Sequence, residues 1–362
     1  MYIATKGGEA AIQQAESLYH QLKGQVTLET VRHIEATMPY LLDRVMGEAS
    51  LYAPELAALA IAQTGGDLYE AVLLLRAFRS TQPRIAYAQP VTPESMVTVR
   101  RISAAFKDIP GGQVLGPTLD YSHRILRLDI LDNRQAPAEE EPAELPETPA
   151  EAVYPLLADW QRENGLLEPL PAANPVEPAD IPDVTRDPIM MPAPRAHRLQ
   201  ALARADTGGV LALGYSSMRG YGLIHPTVNE LRLAHAEVMV EHPVTGVPFS
   251  AGRVRVSQAE VVSKDASGFK IGFAATLGWN EMKLIAASML DLEMNSENSH
   301  PALSEDFVLY HTEPVESSGF CIHFKLPHYV TFASSMDAVR RVQALYRGAK
   351  ATATEAEEEL SS

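Results

Sequence analysis

The sequence holds a single cysteine, Cys321, among 362 residues. One thiol closes no internal disulfide and builds no thiolate zinc site, so a reducing compartment, the cytoplasm, is expected. Cys321 as a nucleophile is one reading, because it stands two residues before His323; a buried structural cysteine is the other. No apolar run approaches the roughly 18–20 residues that a membrane span needs. The opening residues carry no apolar core behind a basic flank, so neither a membrane anchor nor a signal peptide is expected. Positive charge is scarce: 30 Lys and Arg stand against 46 Asp and Glu, for a net charge of −16. That balance argues against nonspecific nucleic-acid binding, which rests on neutralising phosphates. It leaves room for a local basic pocket holding a phosphorylated small molecule. Also missing are a Walker or Rossmann glycine fingerprint, a His-Glu-x-x-His zinc motif and any internal repeat.

What is present reads as a large α+β protein. A Lys6-Gly7-Gly8-Glu9 turn leads into a helix to about Lys23 and is read as a helix entry; the alternative is a phosphate-facing pair of backbone N–H groups. Val31, Ile34, Met38, Leu41 and Val45 recur at helical spacing, with Pro39 expected to kink or divide the helix. Leu56, Leu59 and Ala60 continue the pattern to a Gly65-Gly66 stop. Asp67 then caps a helix whose stripe is Ala71, Leu74, Leu75 and Phe78, with Glu70 placed as in a capping box. Residues 110–117 pack three glycines and two prolines into eight positions. Residues 132–150 hold six acids and four prolines and read as a disordered linker. A short helix is expected around Leu156, Leu157 and Trp160, and then residues 169–194, with eight prolines, read as an extended arm.

From Arg195 the pattern turns globular again. Leu211–Tyr215 reads as a buried strand, and residues 237–240, 253–262 and 269–275 read as further strands. Asn280–Leu292 has helical spacing, Phe307–His311 reads as a strand, and a last helix spans about Ser335–Tyr346 with Met336, Val339, Val342 and Tyr346 inward. The tail is expected to fray. The fold expected is a helical N-terminal region followed by a mainly antiparallel sheet with packed helices. Four segments follow: residues 1–131, 132–194, 195–350 and 351–362.

Two loops carry ionisable groups in the density expected of a site. The first holds Lys107, Asp108, Gly111, Gly112, Asp120, His123 and Arg124; the second, residues 216–226, holds Arg219 and His225. A third stretch, Ser318–Val330, sets His323 and His328 five residues apart. A straight strand points such side chains to opposite faces, and an ideal helix sets them roughly 140° apart. A turn at Leu326-Pro327 would bring them together. Two converging imidazoles suit zinc if further ligands arrive from elsewhere. His311 with Glu313 or Glu316 are reserve ligands. Two unrelated loop histidines are the competing reading.

Four stretches together resemble one family. They are Met1–Glu9; Lys107–Gln113 with Leu115–Thr118 and Asp120–Arg124; Arg219-Gly220-Tyr221-Gly222 with His225-Pro226; and Gly319-Phe320 with His323–Val330. In order and across nearly the whole chain they are similar to the PhnI family of the bacterial carbon–phosphorus lyase system. Leu223 and Ile224 depart from the basic or polar residues expected after Gly-Tyr-Gly, and residues 169–194 and 241–268 match poorly. The resemblance implies action in phosphonate breakdown. With PhnG, PhnH and PhnL, such a subunit joins an alkylphosphonate to ATP, expels adenine and yields ribose 1-phosphonate 5-triphosphate. Alone it acts as a purine nucleosidase on ATP or GTP. It implies a two-fold core complex with PhnG, PhnH and PhnJ, with PhnK and PhnL associating, and zinc on the pair matching His323 and His328 near the boundary with PhnJ.

Displacing adenine from C1′ passes through an oxocarbenium-like state. It calls for a carboxylate near the sugar, a proton donor for the base and cations around the triphosphate. Asp108 or Asp120 is the candidate carboxylate, and His123 or His225 the candidate donor. Lys107, Arg124 and Arg219, with the N–H groups of Gly111 and Gly112, are candidates for holding phosphates. The competing reading makes Asp108 a turn former, Asp120 a helix cap and the arginines surface ion pairs. A scaffold role, with catalysis in partner subunits, is the alternative function; a generic zinc hydrolase is a third.

Overall fold

Pro39 divides the first long helical pattern, because its ring removes an N–H and clashes with the preceding turn. The computed structural model describes residues 7–131, 153–168, 180–221, 225–265, 268–296 and 300–361. Among these, α1 spans Gly8–Lys23, α2 Leu28–Thr37, α3 Pro39–Ala49, α4 Pro54–Gln63 and α5 Leu68–Ser80. Thr27 caps α2 by accepting from the Thr30 N–H, and Asp67 caps α5 by accepting from the N–H groups of Tyr69 and Glu70. Leu42, Val45, Met46, Ala57, Ala58, Ile61, Ala71, Val72 and Leu75 close one apolar core between α2 and α5. The buried stripe of α5 is therefore Ala71, Val72, Leu75 and Arg76, while Leu74 and Phe78 are exposed. The buried guanidinium of Arg76 reaches the Glu48 carbonyl and rotates the stripe by one position.

The sheet has four antiparallel strands in sequence order: β1 Met96–Ile102, β2 Thr227–Glu241, β3 Pro248–Asp265 and β4 Gly268–Leu277. The three later strands fall where the alternation predicted them. β1 pairs with β2, Met96 opposite Ala236 and Ile102 opposite Leu231, so the first segment shares a sheet with the third. The short helices α6 Leu128–Leu131 and α7 Leu157–Glu163 follow β1. One face of the sheet packs Leu231, Ala259 and Ala274 against Leu284, Ala287 and Leu290. Those three belong to α10, Glu281–Met294. α8, Arg195–Arg204, and α9, Thr207–Ser216, join the same core. One compact unit takes in residues 20–317; the other joins residues 1–19 to 318–362.

Two expected strands are helices. Leu211–Tyr215 lies inside α9, where the Asp206 carboxylate caps the Gly209 N–H at 2.6 Å. Gly214 lets that helix approach α10, since a Cβ there would stand 3.0 Å from the Ala286 Cβ. Phe307–His311 lies inside α11, Glu305–His311, which opens on two acids favourable to a helix N-terminus. A short apolar run does not distinguish a buried strand from a buried helix. The remaining helices are α12, Pro314–His323, and α13, Tyr329–Ser361. α13 is longer than expected and continues through the tail. Its Met336, Val339, Val342 and Tyr346 are exposed, not inward. The periodicity marked an apolar side, which nothing described in the single chain covers. The acidic linker at 132–150 and the first part of the proline-rich arm, 169–179, lie outside the described residues.

Candidate nucleotide site and histidine pair

The loop after β1 is built on two adjacent buried arginines. Arg101 lies fully inside, and its guanidinium donates to the carbonyls of Pro110 and Gly112, both at 2.7 Å, and of Pro155 at 2.9 Å. Its charge is met by the buried Glu230, which also takes the Arg232 Nε at 2.7 Å and the Leu157 N–H at 2.9 Å. A carboxylate between two guanidiniums repays its own desolvation only because its lone pairs are used in this way. The loop then doubles back along β1, Arg101 and Val114 exchanging two backbone hydrogen bonds of 2.7 Å. Gly116 lies against Val99, at the irregularity in the β1 register. A Cβ on Gly116 would stand 2.1 Å from the Val99 carbonyl oxygen, and its φ is +59°.

Arg100 points to the other face and gathers two carboxylates. Its Nη2 donates to Asp120 at 2.6 Å, and its Nε stands 2.6 Å from Glu281 in an ion contact off line for a hydrogen bond. Arg124 adds a second cation to Asp120 at 3.6 Å. Burial raises the Glu281 pKa above the ordinary carboxylate value; Arg100 opposes that shift and the charge of Asp120 adds to it. Two carboxylates on one cation, one solvent-facing and one half-buried, is an arrangement suited to paired ionic and proton-donating roles.

The structure brings Asp120 and Arg124 together. Lys107, Asp108 and His123 are exposed on the same loop without sharing that cluster. The Gly112 N–H is spent on the Ile109 carbonyl at 2.8 Å, so it is not free for a phosphate. Arg219 is exposed on the turn Ser217–Tyr221, and His225 is exposed just before β2; residues 222–224 lie outside the described residues. Because β1 and β2 are antiparallel, both loops meet the sheet at one end, where the Ala104 and Ala105 N–H groups share the Val228 carbonyl at 3.0 Å. Among the described residues, no hydrogen bond or ion pair joins Arg219 or His225 to the first loop. Sequence reasoning missed Arg100, Arg101, Glu230 and Glu281. Two consecutive arginines inside an apolar strand were the available signal.

The histidine pair behaves as the Leu326-Pro327 turn required. α12 ends on His323, α13 starts at Tyr329, and the two imidazoles lie perpendicular with centroids 5.2 Å apart. The His328 Nδ1 pairs with the Leu326 carbonyl at 2.6 Å, which makes it the protonated nitrogen and leaves Nε2 as the free lone pair. These donors fit half of a tetrahedral zinc set. The reserve ligands do not complete it. His311 is stacked on Phe307 and bonded to its carbonyl, and Glu313 is paired with Arg76 and Arg204. Among the described residues no three His, Cys, Asp or Glu side chains gather at a metal-binding distance. Cys321 is exposed in the single chain and takes no part in its packed core.

No single described helix is long and apolar enough to cross a membrane. Residues 1–346 match the family described as bacterial phosphonate metabolism protein (PhnI). The chain is 43% identical over 361 residues to a putative C-P lyase subunit protein, HtxH, of Stutzerimonas stutzeri, covering 94% of this chain and 96% of that protein. It is 39% identical to the alpha-D-ribose 1-methylphosphonate 5-triphosphate synthase subunit PhnI of Rhizobium meliloti strain 1021, over 97% of each chain. It is likewise 39% identical to the PhnI subunit of the same synthase in Escherichia coli K12, over 95% of this chain and 98% of that one. With the family matched over this length and relatives of this identity, the chain belongs to the PhnI family of bacterial phosphonate metabolism.

Proposed function

We propose that this chain is the nucleotide-processing subunit of a carbon–phosphorus lyase system. A phosphonate oxygen attacks C1′ of ATP, the C1′–N9 bond breaks, and adenine leaves with a proton taken from the protein. The product is ribose 1-phosphonate 5-triphosphate. With water as the attacking group, the same chemistry makes the isolated chain a purine nucleosidase on ATP and GTP. A β-nucleotide going to an α-phosphonate inverts C1′, so one in-line displacement suffices and no covalent enzyme intermediate is needed.

The observation that carries the reading is Asp120, held at 2.6 Å by the buried Arg100 in a loop anchored from below by Arg101. A carboxylate fixed this way stabilises positive charge at C1′ at no cost of reorganisation. Asp108 is the other candidate, and His123 or His225 gives the proton. Lys107, Arg124 and Arg219 are the cations for the triphosphate, with the Gly111 N–H as a further donor. The relatives' names, a synthase subunit and a C-P lyase subunit, favour this chemistry. The same names, each that of a subunit, favour assembly with other subunits; in this reading they are PhnG, PhnH and PhnJ, with PhnK and PhnL associating, in the cytoplasm.

Zinc belongs to a separate part of the proposal. His323 and His328 hold the ion, and water, a phosphonate or a neighbouring subunit supplies the remaining positions. Bound there, zinc supplies a Lewis-acidic site for an anionic oxygen.

A scaffold function is favoured by one observation, the exposed apolar residues along α13, among them Phe332, Met336, Val339, Val342 and Tyr346. Chromatography of ATP incubated with the isolated chain separates the two readings. Adenine release that falls at least a hundredfold in well-folded Asp120→Asn or Asp108→Asn protein supports the enzyme; no release by the wild-type chain favours the scaffold.

A further inference from the structure

The proposed reaction has two attacking groups, and they differ in their protons. A phosphonate oxygen attacks C1′ as an anion and has no proton to lose. Water forms the same bond and must give a proton up. A positioned base accelerates such a step by roughly 10²–10⁴-fold. Asp108 or Asp120 faces the charge at C1′, and His123 or His225 serves the departing adenine, so none of these takes the proton of water. Glu281 has no part in that division of labour.

Glu281 is the first residue of α10, and its carboxylate meets Arg100 on β1. Asp120 meets the same guanidinium from the loop. The two acids therefore stand side by side on neighbouring nitrogens of one side chain, Nε and Nη2, each 2.6 Å from its oxygen. Arg100 is 1% exposed, Glu281 24% and Asp120 49%, so the cation is enclosed while both acids reach the surface.

The two acids are held differently. Asp120 accepts a hydrogen bond from the Arg100 Nη2 and has Arg124 as a second cation at 3.6 Å. A charge fixed in this way suits a group that faces positive charge at C1′. Glu281 has one cation, and the contact is off line, so its Oε1 accepts no hydrogen bond among the described residues. The contact is that of an ionised carboxylate, the form that takes up a proton. Burial raises the Glu281 pKa, Arg100 opposes the rise and the charge of Asp120 adds to it. A carboxylate with raised proton affinity is a better base than an ordinary one.

We infer that Glu281 is the general base of the water reaction, accepting the proton of a water that attacks C1′ beside Asp120. The water oxygen bonds to C1′, and the C1′–N9 bond breaks with its electron pair going to adenine. Adenine takes its proton from His123 or His225, and the Glu281 carboxyl returns its own to solvent. Phosphonate transfer makes no call on this base. The inference rests on the proposed nucleotide chemistry and deepens it, because it names the acid that sets the balance between hydrolysis and transfer at that site.

The test uses the full chain together with the subunits that co-purify with it. ATP is supplied with and without methylphosphonate, and adenine and the ribose products are quantified. Glu281→Gln keeps the shape and loses the base. It should lower the ratio of hydrolysis to phosphonate transfer about a hundredfold. Formate added to Glu281→Ala should restore hydrolysis, because a small carboxylate replaces the missing one. A glutamate that only positions Arg100 would lower both reactions together and would gain nothing from formate; an unchanged ratio therefore overturns the inference. If Glu281→Gln does not fold, Glu281→Asp decides by the same ratio, since it keeps the charge on Arg100 and draws the base back by one methylene. Adenine release by wild type with an unchanged ratio in the variant sinks the base alone. No release by wild type with either attacking group sinks the proposed activity, and the base with it.

Discussion

Glu260 lies opposite Glu230 across β2 and β3, almost fully buried, and takes one hydrogen bond of 3.0 Å from Asn229. Burial first and the neighbouring Glu230 second raise its pKa to about 7. In the unfolded chain it would ionise near 4.5, so between about 4.5 and 7 the folded state binds the extra proton. Stability from this group is complete below 4.5 and is lost as pH rises through 7. Denaturant unfolding at pH 5 and pH 8 should show Glu260→Gln removing a pH-dependent loss on the order of 3 kcal/mol; parallel wild-type and variant curves would refute it. Glu230 works the other way. Replacing it by alanine leaves Arg101 and Arg232 buried without their counter-charge, and a loss of about 3–5 kcal/mol is expected from the same measurement. At this scale the sequence was legible for Asp120 and Arg124, which share one short loop. It was silent on Glu230 and Glu281, because Arg101 and Arg100, the β1 cations they meet across the fold, lie more than a hundred residues away along the chain.

At the scale of elements, punctuation read better than short apolar runs. Pro39, Asp67 and the Leu326-Pro327 turn fix backbone geometry through covalent restriction or a local cap, and each does in the structure what its chemistry dictates. Leu211–Tyr215 and Phe307–His311 offered only apolar character, and tertiary packing decided their helical form. The loop after β1 depends on a similar local device. Gly116 meets the Val99 backbone at a distance no side chain tolerates, in a left-handed conformation. Gly116→Ala should therefore detach the 103–116 loop from β1. Hydrogen exchange at Val114, whose N–H is bonded to the Arg101 carbonyl at 2.7 Å, should accelerate at least tenfold while amides in α10 stay protected. Unchanged protection at Val114 would show that the glycine is dispensable.

Across the whole molecule, the candidate catalytic loops and the histidine pair belong to different compact units, residues 20–317 and residues 318–362 with 1–19. Local unfolding and ligand binding need not be shared between such units. The chemistry differs as well. In the proposed reading, adenine departure draws on the carboxylates, histidines and cations of the candidate loops, all within residues 20–317. In the same proposal, the His323 and His328 imidazoles would hold an ion able to grip an anionic oxygen. If the pair acts on the phosphonate product after the nucleotide step, the two activities separate by mutation. His323→Ala with His328→Ala should bind at least one equivalent less zinc, keep adenine release from ATP within about twofold, and lose carbon–phosphorus cleavage in the assembled complex. Metal analysis, adenine chromatography and product detection on one preparation check the three expectations. Undiminished zinc would remove these histidines from the metal site. A parallel fall in adenine release would instead tie the ion to the glycosidic step.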